Sequence, residues 1–185
     1  MPSDRYGVGM VGTRIVVECS RCDAYWDPAA EQAACTDPTH DHRSRKSHLH
    51  RTPVVLADGT EVIAVSYGSA DPYARNVAPA FGLYLDDRWR PPWPHDHLDW
   101  PDFGVPHDSS PVVHALESLL KRARAGQRVE IGCYGGHGRT GTALAGLAIL
   151  CGHAPDEAVS WVRATYCERA VETDEQAAFA RSLGT

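Results

Sequence analysis

Residues 128–152 read R-V-E-I-G-C-Y-G-G-H-G-R-T-G-T-A-L-A-G-L-A-I-L-C-G. Arg128 to Ile131 is a short β-rich run that delivers Cys133 to the mouth of a loop, Cys133 to Arg139. An apolar helix is expected over Thr140 to Cys151, with Gly152 ending it. Gly135, Gly136 and Gly138 let successive backbone N–H groups turn inward, so Tyr134, Gly135, Gly136, His137 and Gly138 form an anion-binding nest. The positive end of the helix adds to that field, which also favours the thiolate form of Cys133, a nucleophile. Arg139 returns across the loop with a planar fork suited to two oxygens of a phosphoryl group, where lysine would supply only a point charge. Thr140 is placed to donate its hydroxyl toward the sulfur.

Elements on both sides extend the strand–loop–helix unit. Ser110-Pro111 opens a helix whose apolar face is Val112, Val113, Leu116, Leu119 and Leu120, with Gly126 as its stop. Pro155 with Asp156 and Glu157 starts another helix, and Thr173 and Gln176 have capping-box spacing for a last one. Upstream, T-P-V-V-L-A-D-G-T-E-V-I-A-V-S-Y from Thr52 predicts a hairpin turning at Asp58-Gly59. Thr13 to Glu18 predicts a further strand. The stretch from Asp71 to Pro106 reads mostly as loop around a short strand near Gly82 to Leu85.

The spacing C-x5-R-T, with its glycines and Arg-Thr-Gly end, resembles the signature loop of the protein tyrosine and dual-specificity phosphatases. A second segment, W-P-D-F-G-V-P from Trp100 to Pro106, resembles the mobile acid loop of the tyrosine-specific members. By itself an aspartate in a proline-rich loop reads as a turn residue. The resemblance makes Asp102 the general acid, with Asp108, Asp99 and Asp96 as fallbacks. A third segment, V-E-T-D-E-Q-A-A-F from Val171 to Phe179, resembles the family's glutamine loop. It implies a water-positioning role for Gln176, with Glu172 standing where the first glutamine usually is, while the capping-box spacing offers both residues a purely structural role. Two departures bear on activity: Glu172 itself, and Gly132 where the family has histidine.

The resemblance implies a mixed α/β fold: a central twisted sheet flanked by helices, in one phosphatase domain spanning 1–185. It further implies hydrolysis of phosphomonoesters, phosphotyrosine first, through a Cys133 phosphocysteine with Arg139, Thr140 and Asp102 and no catalytic metal. The same machinery on a phosphoinositide or an RNA 5′-phosphate is one alternative, and His137 stands where phosphoinositide-directed relatives place a basic residue. A catalytically weak phosphate-binding module is another.

Outside the resemblance, residues 19–51 are rich in Cys, His and basic side chains and lack periodicity, which reads as an irregular insertion. Cys19, Cys22, Cys35 and His40 supply a donor set for structural zinc, with His42, His48 and His50 competing for the fourth place. Arg43, Arg45, Lys46 and Arg51 read as a solvated face rather than a nucleic-acid contact. Cys151 and Cys167 read as core residues. Across its 185 residues the chain carries a net charge of -6 and is 43% hydrophobic. That balance offers no global attraction to nucleic acid or anionic membrane, so phosphate must be drawn locally. No stretch has the length of a membrane span or the pattern of a secretory signal, and a cytoplasmic location is expected.

Overall fold

The computed structural model describes residues 36, 38–39, 50–68 and 72–184, and the backbone of strands at 13–19, 25–26 and 42–48. Near the N-terminus, β1 (Thr13–Cys19) pairs antiparallel with both β2 (Tyr25–Trp26) and β3 (His42–His48). The expected strand at Thr13 to Glu18 is therefore present. The expected irregularity of 19–51 is corrected, since β2 and β3 are strands within it. β3 reads H-R-S-R-K-S-H and has no apolar alternation to announce it; it lies at the edge of its sheet, where charged strands are usual.

The main sheet is mixed and five-stranded, in the order β4-β5-β8-β6-β7. β4 (Arg51–Val55) and β5 (Glu61–Ser66) form the hairpin predicted at Asp58-Gly59, with Gly59 at φ +82°. β8 (Val129–Cys133) lies between β5 and β6 (Phe81–Tyr84), parallel to both, and β7 (His95–His97) adds a parallel edge beside β6. β7 falls in a stretch read from sequence as loop.

Alternation along β5 sorts the core onto two faces. Val62 and Ala64 join the large cluster built with Leu83, Ile131 and the helices, while Ile63 and Val65 join Tyr67, Tyr84, Trp89 and Trp93. Glu130 is fully buried within β8, and its carboxylate is held by Arg75 Nε at 2.7 Å and Nη2 at 3.0 Å.

Four helices complete the fold: α1 (Ser110–Arg124), α2 (Gly138–Leu150), α3 (Pro155–Thr165) and α4 (Asp174–Ser182). Pro starts α1 and α3, and Gly126 follows α1 at φ +79°, as their sequence signals require. α1 buries Val112, Leu116, Leu119 and Leu120, each apolar side chain contributing roughly 1.5–3 kcal/mol on transfer from water. α2 packs against the other three helices and is buried from Gly138 to Ile149. It begins two residues before the expected Thr140, which puts Arg139 in its first turn. Among the described residues no helix is long and apolar enough to cross a membrane.

Candidate active site

β8 ends at Cys133 and α2 begins at Gly138, so the loop between them is pinned at both ends by buried elements. Gly136 sits at φ +75°, a conformation open to glycine at little cost. The Cys133 sulfur is buried and accepts hydrogen bonds from the Gly136 N–H at 3.3 Å and the Thr140 hydroxyl at 3.0 Å. Both donors suit a thiolate.

Arg139 is buried in the same cup. Its Nη1 donates to the Leu85 carbonyl at 3.0 Å, to Asp86 Oδ2 at 3.1 Å and to the Trp100 carbonyl at 3.1 Å. Nη2 lies 3.2 Å from Asp102 Oδ1. The Nε–H is buried and has no partner among the described residues. Burial pulls the guanidinium pKa down, yet the facing charges of Cys133, Asp102, Tyr67 and Asp86 together hold it above the ordinary value. Thus Nη1 is anchored by three acceptors, Nη2 faces Asp102, and Nε is left without a partner among the described residues.

Asp86 is a site residue the sequence did not flag. Desolvation would raise its carboxyl, but the hydrogen bonds and charge of Arg88, and then Arg139, hold it well below the usual carboxylate range. Its pairing therefore stabilises the fold at every pH above the ordinary carboxylate value and is lost only as pH falls through its own lower one. The remaining rim is aromatic and basic. Tyr134 is 37% exposed, and the Arg88 guanidinium lies 5.6 Å from its ring centroid.

The segment from Trp100 to Pro106 meets this cup through the Trp100 carbonyl and Asp102, both at Arg139. The Asp102 side chain is 53% exposed and pairs with Arg139. The Trp100 indole donates to the Gly104 carbonyl at 3.0 Å, and the Thr173 hydroxyl donates to the Phe103 carbonyl at 3.2 Å. Phe103 takes φ +57° and Val171 φ +62°, sparsely populated values for non-glycine residues and the kind of strain that gathers at functional sites.

Gln176 is buried in the first turn of α4. Its N–H donates to the Thr173 hydroxyl at 3.1 Å in the N-cap of α4. Its buried amide accepts from the Glu172 N–H at 2.9 Å and donates to the Gly104 carbonyl at 3.4 Å. A Cβ on Gly138 would meet that amide and the Glu172 carboxylate, so both side chains lie against the phosphate loop.

Gly132 is explained by close approach. A Cβ there would lie 2.5 Å from both Val65 Cγ2 and the Val65 carbonyl oxygen. No histidine fits without moving β5. Gly132→Ala is expected to destabilise the protein by about 1–3 kcal/mol, the usual cost of overpacking, read as a lower denaturation midpoint in urea.

His137 is placed differently from the expectation that it meets substrate. Its side chain is buried, edge-on to the His50 ring at 5.0 Å between centroids. The backbone stays in the loop while the imidazole packs away from the rim. His50 in turn sits beside Tyr166, whose hydroxyl donates to the Gly136 carbonyl at 2.5 Å. Burial pushes the Tyr166 phenol well up, so it remains a donor. Neither Tyr166 nor His50 was assigned to the loop from sequence. Of the zinc candidates, Cys22, Cys35 and His40 lie outside the described residues. Cys19 and His42 are cross-strand partners in β1 and β3, described by their backbone alone.

A family model described as Swiss Army Knife protein, DSP-PTPase phosphatase domain, matches residues 101–184. An uncharacterized protein of Methanocaldococcus jannaschii is 36% identical over 109 residues, covering 52% of this chain and 71% of that one. The fold is similar to the crystal structure of Tk-PTP in the active form, with a TM-score of 0.53, 24% identity, and coverage of 67% of this chain and 90% of that one. It is also similar to kinase associated phosphatase carrying serine for its catalytic-site cysteine, with a TM-score of 0.57, 18% identity, and coverage of 72% and 92%.

Proposed function

Because the chain belongs to the protein tyrosine and dual-specificity phosphatase superfamily, we propose that it hydrolyses phosphomonoesters by way of a Cys133 phosphocysteine, with phosphotyrosine as the leading substrate. The observation that carries this reading is the buried Arg139 fork: Nη1 is triply anchored, Nη2 pairs with Asp102, the Nε–H has no partner among the described residues, and the charge of Cys133 acts on the guanidinium. Substrate oxygens take Nε, Nη2 and the backbone N–H groups of residues 134–138. The thiolate attacks phosphorus in line, forming the S–P bond as the ester P–O bond breaks, and Asp102 gives its proton to the departing oxygen. Asp102, now a carboxylate, takes a proton from water as the water oxygen attacks the phosphocysteine. The S–P bond breaks, and the Thr140 hydroxyl supports the returning thiolate. Gln176, whose amide bonds the Glu172 N–H and the Gly104 carbonyl, holds that water in this reading. The half-exposed Tyr134 ring offers an aromatic face to an aryl ester. Catalysis uses no metal in this reading, so turnover is expected to persist in EDTA.

Arg88 favours a second reading, that of a substrate carrying more than one phosphate. Its side chain is 66% exposed beside the loop and supplies a second cation. His137, buried against His50, adds no such contact.

The test is Asp102→Asn, assayed on p-nitrophenyl phosphate and on a phosphotyrosine peptide. We expect kcat to fall by about 10²–10⁴-fold on the peptide, the range typical of general acid catalysis. The loss should be smaller on p-nitrophenyl phosphate, whose leaving group needs less help from a proton. Equal activity of the two proteins on both esters would remove Asp102 from the mechanism. An inert wild type would leave a phosphate-binding module.

A further inference from the structure

Behind the phosphate loop lies a group of side chains that the proposed hydrolysis does not use. His50, His137 and Cys167 are buried at 4%, 7% and 7% exposure. One donor atom from each, a ring nitrogen or the sulfur, lies within 4.8 Å of the other two. They come from three separate elements. His50 precedes β4 and is locked to β5, its N–H donating to the Ser66 hydroxyl at 2.6 Å and its carbonyl accepting from the Ser66 N–H at 2.9 Å. His137 is the N-cap residue of α2, and Cys167 follows α3 with its carbonyl accepting from the Ala170 N–H at 2.9 Å.

We propose that His50, His137 and Cys167 form a zinc site behind the phosphate loop. Two imidazoles and a thiolate suit zinc and disfavour magnesium or calcium, which prefer oxygen. Zinc–nitrogen bonds of about 2.0–2.1 Å and a zinc–sulfur bond of about 2.3 Å put tetrahedral donors roughly 3.3–3.7 Å apart. The spread seen here closes by about 1 Å, within reach of side-chain rotation. A water completes the coordination, as it does where protein supplies three ligands. Binding displaces the Cys167 thiol proton to solvent. The site shares no ligand with Cys19, Cys22, Cys35 and His40, and it does not depend on the proposed hydrolysis. It ties the start of β4, the phosphate loop and the end of α3 to one cation, fixing His137 on the side of the loop away from substrate.

The experiment uses the full chain carrying Cys133→Ser, so that neither turnover nor the nucleophilic thiol contributes. The protein is stripped with chelator and titrated with Co²⁺, whose thiolate charge-transfer and tetrahedral ligand-field bands report the donor set, and with Zn²⁺ by calorimetry. Adding Cys167→Ser is expected to remove one equivalent of bound metal and one thiolate's share of the charge-transfer intensity. Adding His137→Asn instead should weaken Zn²⁺ binding at this site beyond the about 10–100-fold typical of losing an outer-shell partner. Melting curves of the stripped proteins check folding, and the Zn²⁺-induced rise in Tm should shrink in both variants. If Cys167→Ser fails to fold, His137→Asn carries the test. Unchanged stoichiometry, spectrum and Zn²⁺-induced Tm rise in a folded variant would overturn the site, whatever the phosphatase assays show.

Discussion

Cys133→Ser is expected to abolish turnover of p-nitrophenyl phosphate, a loss of about 10⁴-fold or more, while oxyanion binding survives. Removing the nucleophile from a covalent mechanism leaves only the background supplied by binding and preorganised donors. A serine hydroxyl in the same place stays protonated, and the groups described as hydrogen-bonded to the Cys133 sulfur, the Gly136 N–H and the Thr140 hydroxyl, are both donors. Those donors, the loop backbone and Arg139 remain in the variant. Calorimetric titration with tungstate should therefore give an affinity within about tenfold of wild type, a difference of about 1.4 kcal/mol. Retained turnover in Cys133→Ser would mean another nucleophile. Loss of both turnover and tungstate binding would mean that the serine had disturbed the loop.

Arg139→Lys is expected to lower kcat/KM by at least about 10²–10³-fold, the range seen when one preorganised transition-state donor is lost, because more than one is lost here. The arginine divides its work by nitrogen. Nη1 is committed to the Leu85 carbonyl, Asp86 and the Trp100 carbonyl, while Nε and Nη2, the latter beside Asp102, are the pair proposed to take substrate. An ammonium group cannot both fill the Nη1 position and present a planar pair of N–H groups. Whichever position lysine takes, either the oxyanion or the buried acceptors lose a partner. The variant should also lose about 1–3 kcal/mol of stability through those acceptors, seen as a lower Tm. Steady-state kinetics on p-nitrophenyl phosphate and a thermal melt separate the two effects. A lysine variant as active as wild type would show that the fork does not clamp the phosphoryl group.

What could be read from the sequence was what is local along the chain. The residues from Cys133 to Thr140 carry their own logic: glycines where the backbone must turn, a fork six residues after the thiol, and an apolar helix to pin the end. The Asp58-Gly59 turn and the Thr173 cap are equally local. Asp86 was not legible, because it meets Arg139 across 53 residues of chain and sits in an Asp-Asp-Arg stretch that reads as a turn. His50 closes a run crowded with Cys and His, so it read as a competitor for their metal; its bonds to Ser66 hold it beside β5, next to His137 and Tyr166. β3 escaped for a different reason. Its order comes from ladder pairing with β1, and hydrogen bonding between backbones leaves no imprint on side-chain alternation. Gly132 looked like a defect until the nearness of Val65 showed that β8 has no room for a side chain there.

The burial of α2 has a consequence for ionic strength. Salt weakens interactions between charges that share the solvent, with a Debye length of about 8 Å in physiological conditions, and acts far less on charges sealed from it. α2 is enclosed from Gly138 to Ile149, and Arg139 at its first turn is 3% exposed. On the proposed reading, the positive end of the helix and the guanidinium would act on a phosphate through protein rather than through electrolyte. Arg88, two-thirds exposed at the rim, acts through electrolyte. Added salt should thus strip away the outer attraction and leave the inner grip nearly intact. On the proposed reading, a chain with a net charge of -6 would hold a dianion against added salt chiefly through this enclosed pair.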